Sequence, residues 1–390
     1  MNTIEEETKS VIEKLQNYII SESYKGYDPY DVLMSPIFKL PFLKSNKIIR
    51  FVSQQVFRRI IYDFRPIMAI KKGINPVTLG LAVQAYTYLK ELDEAKSDYY
   101  QAQINYCLDK LIEMKSEGYS GICWGYDFDW HGRYANIPAF TPTIVATGII
   151  INGLYEYCKY SKDEKAKELI ISSAQFVLND LNRKYEEDSF CISYSPKDSQ
   201  LVFNAAMKGA RLISQVHSLT LDNICVENAE KIVKFVINNQ NKDGSWYYSK
   251  GDARSWVDNF HTAYVLDSLY EFINLSGKEE YTEHFEKGMT FYLNNLFTQE
   301  YYPKYYSNSL FPIDSTEIAQ TIITLTKFNY FQRASIVVDF GYKNLYSNRG
   351  YFYYQKYKRF INRNIYMRWS NMYMLTALSF YLFSIEKSKV

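Results

Sequence analysis

The sequence is poor in cysteine and has no long apolar run. Its five cysteines, at positions 107, 123, 158, 191 and 225, contain no CxxC pair and leave one unpaired in any disulfide scheme, which favours free thiols in a reducing compartment. The apolar stretch TIVATGIIINGLY is shorter than the roughly 20 residues that cross a bilayer. The first residues, MNTIEEETKSVIEKL, are acidic and amphipathic, unlike a signal peptide. We therefore expect a cytoplasmic protein.

Common cofactor and catalytic motifs are also missing. The chain contains no P-loop, dinucleotide fingerprint, GxSxG or HExxH motif, which argues against most nucleotide, nicotinamide, serine-hydrolase and zinc-protease chemistry. Its aspartates match neither the DxDD motif of cyclases nor the DDxxD motif of diphosphate sites. A net charge of +2 over 390 residues does not suggest nucleic-acid binding. We predict no cofactor, no bound metal and no nucleic-acid partner.

Helical periodicity dominates what is present. Six segments rich in Ala, Gly, Leu and Ile begin at positions 75, 141, 201, 258, 314 and 368, and amphipathic helices are predicted between them near 99–115, 164–181, 224–239, 279–297 and 331–346. Helices that are apolar on most sides are buried, whereas helices with one apolar stripe lie outside. The pattern predicts an all-α fold, an (α/α)6 toroid with inner and outer helices; an open solenoid is the alternative. We assign 75–390 to the toroid and 1–74 to an N-terminal helical extension.

The loops that precede the six inner helices share one composition, and we name them the mouth loops. All five tryptophans and many of the 38 tyrosines lie in or beside them, interleaved with Asp, Lys and Arg. Flat rings with polar edges suit a polar, weakly hydrophobic ligand. If every inner helix starts at the same end of the ring, these loops meet around one pocket for a sugar, and the basic last loop favours an acidic sugar. The predicted substrate-binding residues are Trp124, His131, Arg133, Trp246, Tyr248, Trp256, Lys304, Tyr305, Asp314, Tyr353, Lys356, Arg368 and Trp369.

Two mechanisms compete for the chemistry. In hydrolysis, Asp127 or Asp129 would act with Asp258 as an acid and base pair. In epimerisation or elimination of a uronate, His261 or Tyr354 would remove the proton at C5. A basic residue of the last loop would then neutralise the sugar carboxylate. The basic loop favours proton abstraction slightly.

Each candidate also has a purely structural interpretation. Asp258 is placed to cap its helix, and Asp314 with Glu317 forms the D-x-x-E pattern of a capping box. His261 would be a satisfied buried histidine in that case. Asp127 and Asp129 would then be surface turn residues, and their cluster with a nearby histidine lacks a recognised metal-ligand spacing.

A separate feature is the basic segment 38–72, FKLPFLKSNKIIRFVSQQVFRRIIYDFRPIMAIKK. It carries nine Lys or Arg against one Asp, and Ile48, Val52, Val56, Ile60 and Phe64 recur every four residues. This pattern predicts a basic amphipathic helix. Such a helix either docks on anionic lipid at the inner membrane face or packs on the ring with its arginines in water.

Several loops resemble those of a known family. GICWGYDFDWHGRY, FCISYSP, NQNKDGSWYY, WVDNFHT, PKYYSNSLFPID and GYFYYQKYKRF resemble a family from bacterial extracellular and capsular polysaccharide gene clusters, similar in architecture to terpenoid cyclases and six-hairpin glycosidases. The stretch from Gln240 to Trp246 is similar to the QW repeat of cyclase-type toroids. The resemblance implies a toroid and a role in glycan assembly, with other polysaccharide synthesis proteins as partners. It carries no catalytic residue across, because toroids host many reactions.

Three function classes follow. The leading hypothesis is a carbohydrate-active enzyme of polysaccharide biosynthesis, an epimerase, lyase or glycoside hydrolase. The rival is a non-catalytic module that binds glycan and tethers a synthesis complex to the inner membrane through residues 38–72. An isoprenoid cyclase or transferase is a weaker alternative, because the mouth loops are polar and the diphosphate-binding aspartates are missing.

Overall fold

The computed structural model describes residues 2–389, which form fourteen α-helices joined by turns and short strands. The helices are α1 (Asn2–Ser21), α2 (Pro41–Ser45), α3 (Lys47–Phe57), α4 (Pro76–Leu92), α5 (Ser97–Glu113), α6 (Ile144–Cys158), α7 (Glu164–Gln175), α8 (Phe203–Thr220), α9 (Asn223–Ile237), α10 (Asn259–Ser276), α11 (Thr282–Asn295), α12 (Ser315–Lys327), α13 (Phe331–Leu345) and α14 (Tyr373–Ser388). A π-helical turn, Met367–Met372, leads into α14.

Six of these helices close into an inner ring. Helices α4, α6, α8, α10, α12 and α14 pack each against the next, and α14 packs back on α4. Helices α5, α7, α9, α11 and α13 pack outside α4, α6, α8, α10 and α12, and α1 packs outside α14. The predicted toroid is confirmed, and the contact between α14 and α4 excludes the open solenoid.

The inner helices are buried around most of their circumference, as their composition predicts. In α4, every residue from Pro76 to Leu89 is buried. Two glycines allow α4 and α6 to approach closely: a Cβ on Gly80 would lie 2.6 Å from the Cα of Ile150, and a Cβ on Gly153 would meet the backbone of Gly80. Small residues at this crossing therefore set the spacing of the ring.

Short antiparallel strands link the mouth loops to one another. They are β1 (Trp130–His131), β2 (Asn136–Ile137), β3 (Arg183–Glu186), β4 (Ser189–Ile192), β5 (Leu201–Val202), β6 (Ser249–Lys250), β7 (Ile313–Asp314), β8 (Tyr346–Ser347), β9 (Tyr351–Phe352), β10 (Gln355–Lys356) and β11 (Ile361–Asn362). Strand β5, before α8, pairs with β6 in the loop before α10. Strand β7, before α12, pairs with β10 in the loop before α14. These pairings hold neighbouring mouth loops together at one end of the ring.

The N-terminal residues contribute to both walls and mouth. Helix α1 occupies the place of a sixth outer helix, where the Tyr342 hydroxyl donates a 2.9 Å hydrogen bond to Thr8 Oγ1. Helix α3 lies beside β1, because Gln54 Oε1 accepts from the backbone N–H of His131 at 2.8 Å. The division into an extension over 1–74 and a toroid over 75–390 stays a prediction.

Two further observations concern the compartment. Across residues 2–389, the length and apolarity that a bilayer-crossing helix needs are not found together in any helix. All five cysteines are free thiols, and Cys107, Cys123, Cys191 and Cys225 are buried.

Candidate functional site

A cavity of about 620 Å³ lies between the mouth loops. Residues from the loops before α6, α8, α10, α12 and α14 line it, together with residues of the N-terminal segment. Half of the lining residues are Tyr, Trp or Phe, against 17% aromatic residues in the whole chain. Aromatic enrichment of this size at a concave site is typical of a pocket that holds a ligand by its apolar faces.

The rings stand in stacked pairs on the cavity wall. Tyr126 and Phe128 are parallel within 1°, with centroids 5.3 Å apart. Tyr248 and Trp256 stack at 5.1 Å on another part of the wall. Paired rings hold each other in one orientation, which leaves flat surfaces for a sugar ring with little conformational freedom to lose on binding.

The centre of the site is a histidine–aspartate pair at the start of α10. Asp258 precedes the helix in an extended conformation, and its Oδ1 accepts the backbone N–H of His261 at 2.9 Å. Its Oδ2 lies 2.7 Å from His261 Nδ1 and also accepts the Trp256 Nε1–H at 3.1 Å. The carboxylate therefore caps the helix and orients the imidazole at the same time, so the two interpretations of Asp258 are compatible.

This contact decides which nitrogen of His261 can accept a proton from a ligand. A carboxylate acceptor next to Nδ1 places the hydrogen there, so Nε2 is left with a lone pair for a ligand. The imidazole is 22% exposed and lines the cavity, whereas the Asp258 side chain is 2% exposed. Tyr248 packs edge-on to the imidazole at 4.6 Å. The arrangement is that of a general base held by a buried carboxylate.

The charged lining is mostly positive. Five arginines line the cavity, whereas Asp258 is the one carboxylate among the lining residues within 2–389. The lining arginines are Arg58, Arg59, Arg133, Arg254 and Arg368. Arg254 is paired with Asp252 at 2.5 Å, and Arg368 with Asp28 at 2.6 Å. Because only part of this positive charge is neutralised from behind, the cavity favours an anionic ligand.

Two lining tyrosines carry protonated hydroxyls. Burial raises the pKa of the Tyr305 and Tyr354 hydroxyls well above their ordinary value, and the nearby Asp314 raises both further. Both side chains line the cavity. Both phenols are therefore hydrogen-bond donors rather than bases at neutral pH.

Asp314 lies directly behind the cavity wall. It caps α12 by accepting the backbone N–H of Thr316 at 2.8 Å, and it accepts from Gln355 Nε2 at 2.7 Å and Trp369 Nε1 at 3.1 Å. Burial raises its pKa to about 6, and the hydrogen bonds from Gln355 and the backbone oppose that rise. Only half of the predicted capping box forms, because neither carboxyl oxygen of Glu317 has a hydrogen-bond partner.

Nine of the eighteen predicted site residues line this cavity. They are Arg133, Tyr248, Trp256, Asp258, His261, Tyr305, Tyr354, Arg368 and Trp369. The mouth loops therefore converge as their shared chemistry predicts. The roles assigned to these residues remain predictions.

Two tryptophans lie in the core instead. Trp124 is fully buried, and its Nε1–H donates to the Leu111 carbonyl at 2.8 Å. Trp246 is 3% exposed, and its Nε1–H donates to the Val236 carbonyl at 3.0 Å. Gly288 makes room for Trp246, since a Cβ there would lie 2.7 Å from the indole. Both indoles anchor mouth loops against outer helices, and neither is part of the cavity lining.

Asp129 and His131 attach α3 to the rim. Arg50 pairs with Asp129 at 2.6 Å, and its Nε–H donates to His131 Nε2 at 2.9 Å. Burial, reinforced by the charge of Arg50, lowers the pKa of His131 to about 4. His131 is therefore a neutral acceptor at pH 7, and neither side chain is part of the cavity lining.

Asp127 belongs to a second cavity of about 440 Å³ between the N-terminal segment and the ring. Its Oδ1 accepts from Asn75 Nδ2 at 2.7 Å. Burial, and then the nearby Asp28, raise its pKa to about 6. The carboxylates of Asp127, Asp129 and Asp258 thus do not point into one cavity.

The remaining predicted residues hold the loops in place. The ammonium group of Lys304 donates to the Asn295 carbonyl at 3.1 Å, and that of Lys356 donates to Asn344 Oδ1 at 2.8 Å. The backbone N–H of Tyr353 donates to the Leu345 carbonyl at 2.9 Å. None of the three is part of the cavity lining.

Sequence reasoning missed the contribution of the N-terminal segment. Tyr30, Arg58 and Arg59 line the cavity, and the Arg58 guanidinium donates to the Tyr30 hydroxyl at 2.9 Å. Arg254 was also missed, although it lies between the aromatic residues of the fourth mouth loop. The local excess of arginine was visible in the sequence. The direction in which these arginine side chains point could not be predicted, because a basic helix is expected to turn its charges towards water.

No cluster of three or more His, Cys, Asp or Glu side chains within residues 2–389 is arranged to hold a metal ion. Asp31 and Asp28 are instead paired with Arg65 and Arg368, and Asp127 accepts a hydrogen bond from Asn75.

Comparisons with known proteins identify the fold. No protein-family model matches the chain, and no curated protein sequence matches it either. Among solved structures, it is similar to cellobiose 2-epimerase from Spirochaeta thermophila, with a TM-score of 0.61, 11% identity, and coverage of 81% of this chain and 87% of that one. It is also similar to an unsaturated glucuronyl hydrolase specific for heparin (TM-score 0.61, 13% identity, coverage 99% and 98%).

A D-mannose isomerase is similar as well, with a TM-score of 0.55, 11% identity, and coverage of 79% of this chain and 86% of that one. At these identities the likeness shows the fold alone. The chain is an α/α toroid, as its resemblance implies. Membership of a polysaccharide-biosynthesis family stays a prediction.

Proposed function

We propose that the protein modifies a carbohydrate by proton abstraction next to a carboxylate or carbonyl group, with His261 as the base. The observation that carries the proposal is the 2.7 Å contact between His261 Nδ1 and Asp258 Oδ2 inside an aromatic cavity. This contact leaves Nε2 free to accept a proton. The reaction class is that of a sugar epimerase or lyase.

The distribution of carboxylates argues against hydrolysis. Glycoside hydrolysis generally requires two carboxyl groups on either side of the scissile bond. Among the residues that line this cavity, Asp258 is the one carboxylate, and both of its oxygens are engaged by the His261 backbone, the imidazole and Trp256. Proton transfer needs one base and one acid, and the cavity offers both.

The arginine-rich lining supports an acidic sugar. Abstraction of the proton at C5 of a uronate develops negative charge on the carboxylate, and a guanidinium stabilises that charge in a site with little water. Arg133 lines the cavity, and no ion pair within residues 2–389 involves it. A free guanidinium at the wall is suited to a sugar carboxylate.

A proton must also be returned or passed to a leaving group. Tyr354 is the candidate acid, because burial keeps its hydroxyl protonated. This role replaces the base role considered for Tyr354 from the sequence. Delivery to the opposite face of the carbanion gives the epimer, whereas loss of the substituent at C4 gives the unsaturated product.

The solved structures named above support a carbohydrate substrate. By their names, two of them are a sugar epimerase and a sugar isomerase, and the third acts on an unsaturated glucuronyl group. The resemblance of the mouth-loop sequences to a family from polysaccharide gene clusters supports a role in polysaccharide biosynthesis. We extend the proposal to a cytoplasmic location, at the inner membrane face, with polysaccharide synthesis proteins as partners.

Isotope exchange tests the reaction directly. The purified protein is incubated in D₂O with uronate oligosaccharides and, separately, with neutral cello-oligosaccharides, and the products are analysed by NMR and mass spectrometry. We expect deuterium at C5 of the uronate or an unsaturated uronate product. His261→Gln should lower the rate roughly 10³-fold, the usual contribution of a general base.

His284→Gln is the matched control. His284 lies on the outer helix α11, where its ring contacts Gln240 Oε1 at 2.8 Å, so its loss should leave the exchange rate unchanged. Release of new reducing ends without deuterium uptake would show hydrolysis instead. Tight glycan binding with no reaction on any uronate would favour the non-catalytic module.

A further inference from the structure

Helix α3 buries two polar side chains and exposes three apolar ones. Arg50 is 6% exposed and Gln54 is fully buried, and both bind β1 at the rim of the ring. On the opposite face, Ile48, Val52 and Val56 are 75%, 48% and 48% exposed. A surface helix of a soluble protein normally shows the reverse arrangement, so the outer face of α3 is built for contact with something other than water.

The apolar exposure extends beyond this helix. Phe42, just before α3, is 69% exposed, and Phe64 and Ile67, just after it, are 40% and 82% exposed. Large exposed apolar side chains are concentrated between positions 34 and 67 more than anywhere else in residues 2–389. We name this surface the apolar patch, defined by Phe42, Ile48, Val52, Val56, Phe64 and Ile67. Exposed apolar side chains concentrated in one segment in this way mark an interaction site.

The charges around the apolar patch are mostly positive. Within positions 34–72, Asp63 is the exposed acidic residue. The exposed basic residues are Lys39, Lys44, Lys47, Arg59, Lys71 and Lys72. Exposed apolar side chains among cations match a surface with an apolar interior and anionic head groups.

We propose that the apolar patch docks on an anionic lipid bilayer, with Ile48, Val52 and Val56 in the acyl boundary and the surrounding lysines at the head groups. This inference rests on the location given in the proposed function, the inner membrane face, and deepens it by naming the surface that docks; it does not depend on the reaction. The proposal assigns one of the two sequence-based interpretations of segment 38–72 to each face of the helix. The arginine face packs on the ring, and the apolar face meets the membrane.

Docking in this way places the sugar cavity next to the membrane. Phe51, Gln55, Arg58 and Arg59 of the same segment line the cavity. The apolar patch and the cavity are therefore separated by one helix, about 10 Å in diameter. A glycan attached to a membrane lipid would reach the aromatic walls from this position.

Vesicle flotation tests the charge contribution. The full chain is mixed with vesicles of phosphatidylcholine alone or with 30% phosphatidylserine (about that fraction, to give a strongly anionic surface), in the absence of any glycan. We expect binding to the anionic vesicles only. Lys39→Gln, Lys44→Gln and Lys47→Gln together should weaken it roughly 100-fold, since each basic residue at an anionic surface contributes about 1 kcal/mol.

A second pair of variants tests the apolar contribution. Ile48→Ser with Val52→Ser should weaken binding about 10-fold or more, because the acyl boundary no longer receives two buried side chains. The matched controls are Lys162→Gln, Lys231→Gln and Lys242→Gln for charge, and Ile224→Ser, 59% exposed on α9, for apolarity. The controls should float like the unmodified chain.

Three outcomes overturn the proposal. The first is a chain that fails to float with anionic vesicles at low salt. The second is flotation that the controls reduce as much as the patch variants. The third is a dimer in sedimentation that Ile48→Ser dissociates, which would make the patch an interface between two copies. Since no sugar is present, each outcome is independent of isotope exchange.

Discussion

The two cavities lie side by side and have opposite chemistry. The larger, of about 620 Å³, has aromatic walls, five arginines and the single carboxylate of Asp258. The smaller, of about 440 Å³, contains the carboxylates of Asp28, Asp31 and Asp127, with lysines at its edge. Phe128 and Arg368 line both. Two side chains thus separate a site rich in stacking surfaces from one rich in buried acids.

The difference between the two cavities shows how the surroundings of a carboxylate set its role. Asp258 accepts three hydrogen bonds at the start of α10, and one of them orients the imidazole of His261. Asp127 receives one side-chain donor, so burial dominates and raises its pKa to about 6. Burial also raises the pKa of Asp31 to about 7, although Arg65 opposes the rise. Asp258 and Asp127 thus differ in their contacts rather than in residue type, and these contacts set what each carboxylate can do.

A substitution in the wall shared by the two cavities should have the largest effect, and it is an effect on stability. Arg368 is 5% exposed and pairs with Asp28 at 2.6 Å. Arg368→Met would leave a buried carboxylate without its cation, which costs about 3 to 5 kcal/mol of unfolding free energy. Urea denaturation measures this loss, and Arg349→Met, at an exposed position, should change stability little. If Asp28→Asn does not recover part of the loss in the double variant, the pair is not its cause.

Asp258→Asn tests the comparison in the larger cavity. Asparagine still caps a helix, so stability should change little. Its amide, however, offers one acceptor where the carboxylate offers two, and donation to Nδ1 would move the imidazole hydrogen to Nε2. We expect an exchange rate on the order of 10²-fold lower, with a tautomer change visible in ¹⁵N NMR of His261. Asp163→Asn, at the cap of α7, is the control; equal effects on rate would contradict the argument.

Asp127→Asn examines the other cavity and should have the smallest effect. The pKa of Asp127 is raised in the folded protein, so this group stabilises the fold most below about pH 4, and its contribution is lost as pH rises to about 6. Asparagine keeps the acceptor for Asn75. The variant should therefore gain roughly 2 kcal/mol relative to the unmodified chain between pH 4 and pH 7.5, less than full burial would give, because the side chain is only half-buried.

Urea unfolding of both proteins at the two pH values measures this gain. Asp98→Asn, at an exposed position of α5, is the control and should not reproduce this gain. A difference for Asp127→Asn that does not change with pH would mean that its carboxyl titrates normally in the folded protein.

Much of the architecture could be predicted because it depends on local patterns. The all-round apolar composition of segments such as 76–89 requires burial, and six such segments alternate with one-sided helices. The aromatic character of the mouth loops likewise predicted a shared pocket. Which rings reach it could not be predicted, because Trp246 and Trp256 stand in the same loop with similar neighbours. Only the first meets the space left by Gly288.

Local patterns in the sequence specify the helices, the order of the ring, and the aromatic and basic residues at its mouth. Periodicity and composition act through near neighbours along the chain. The tertiary structure alone decided the rest. It brought Arg58 into the cavity, took Asp127 and Asp129 out of it, and turned the apolar face of α3 outwards. These outcomes depend on partners distant in sequence, and the donors and burial that those partners provide set what each charged side chain can do.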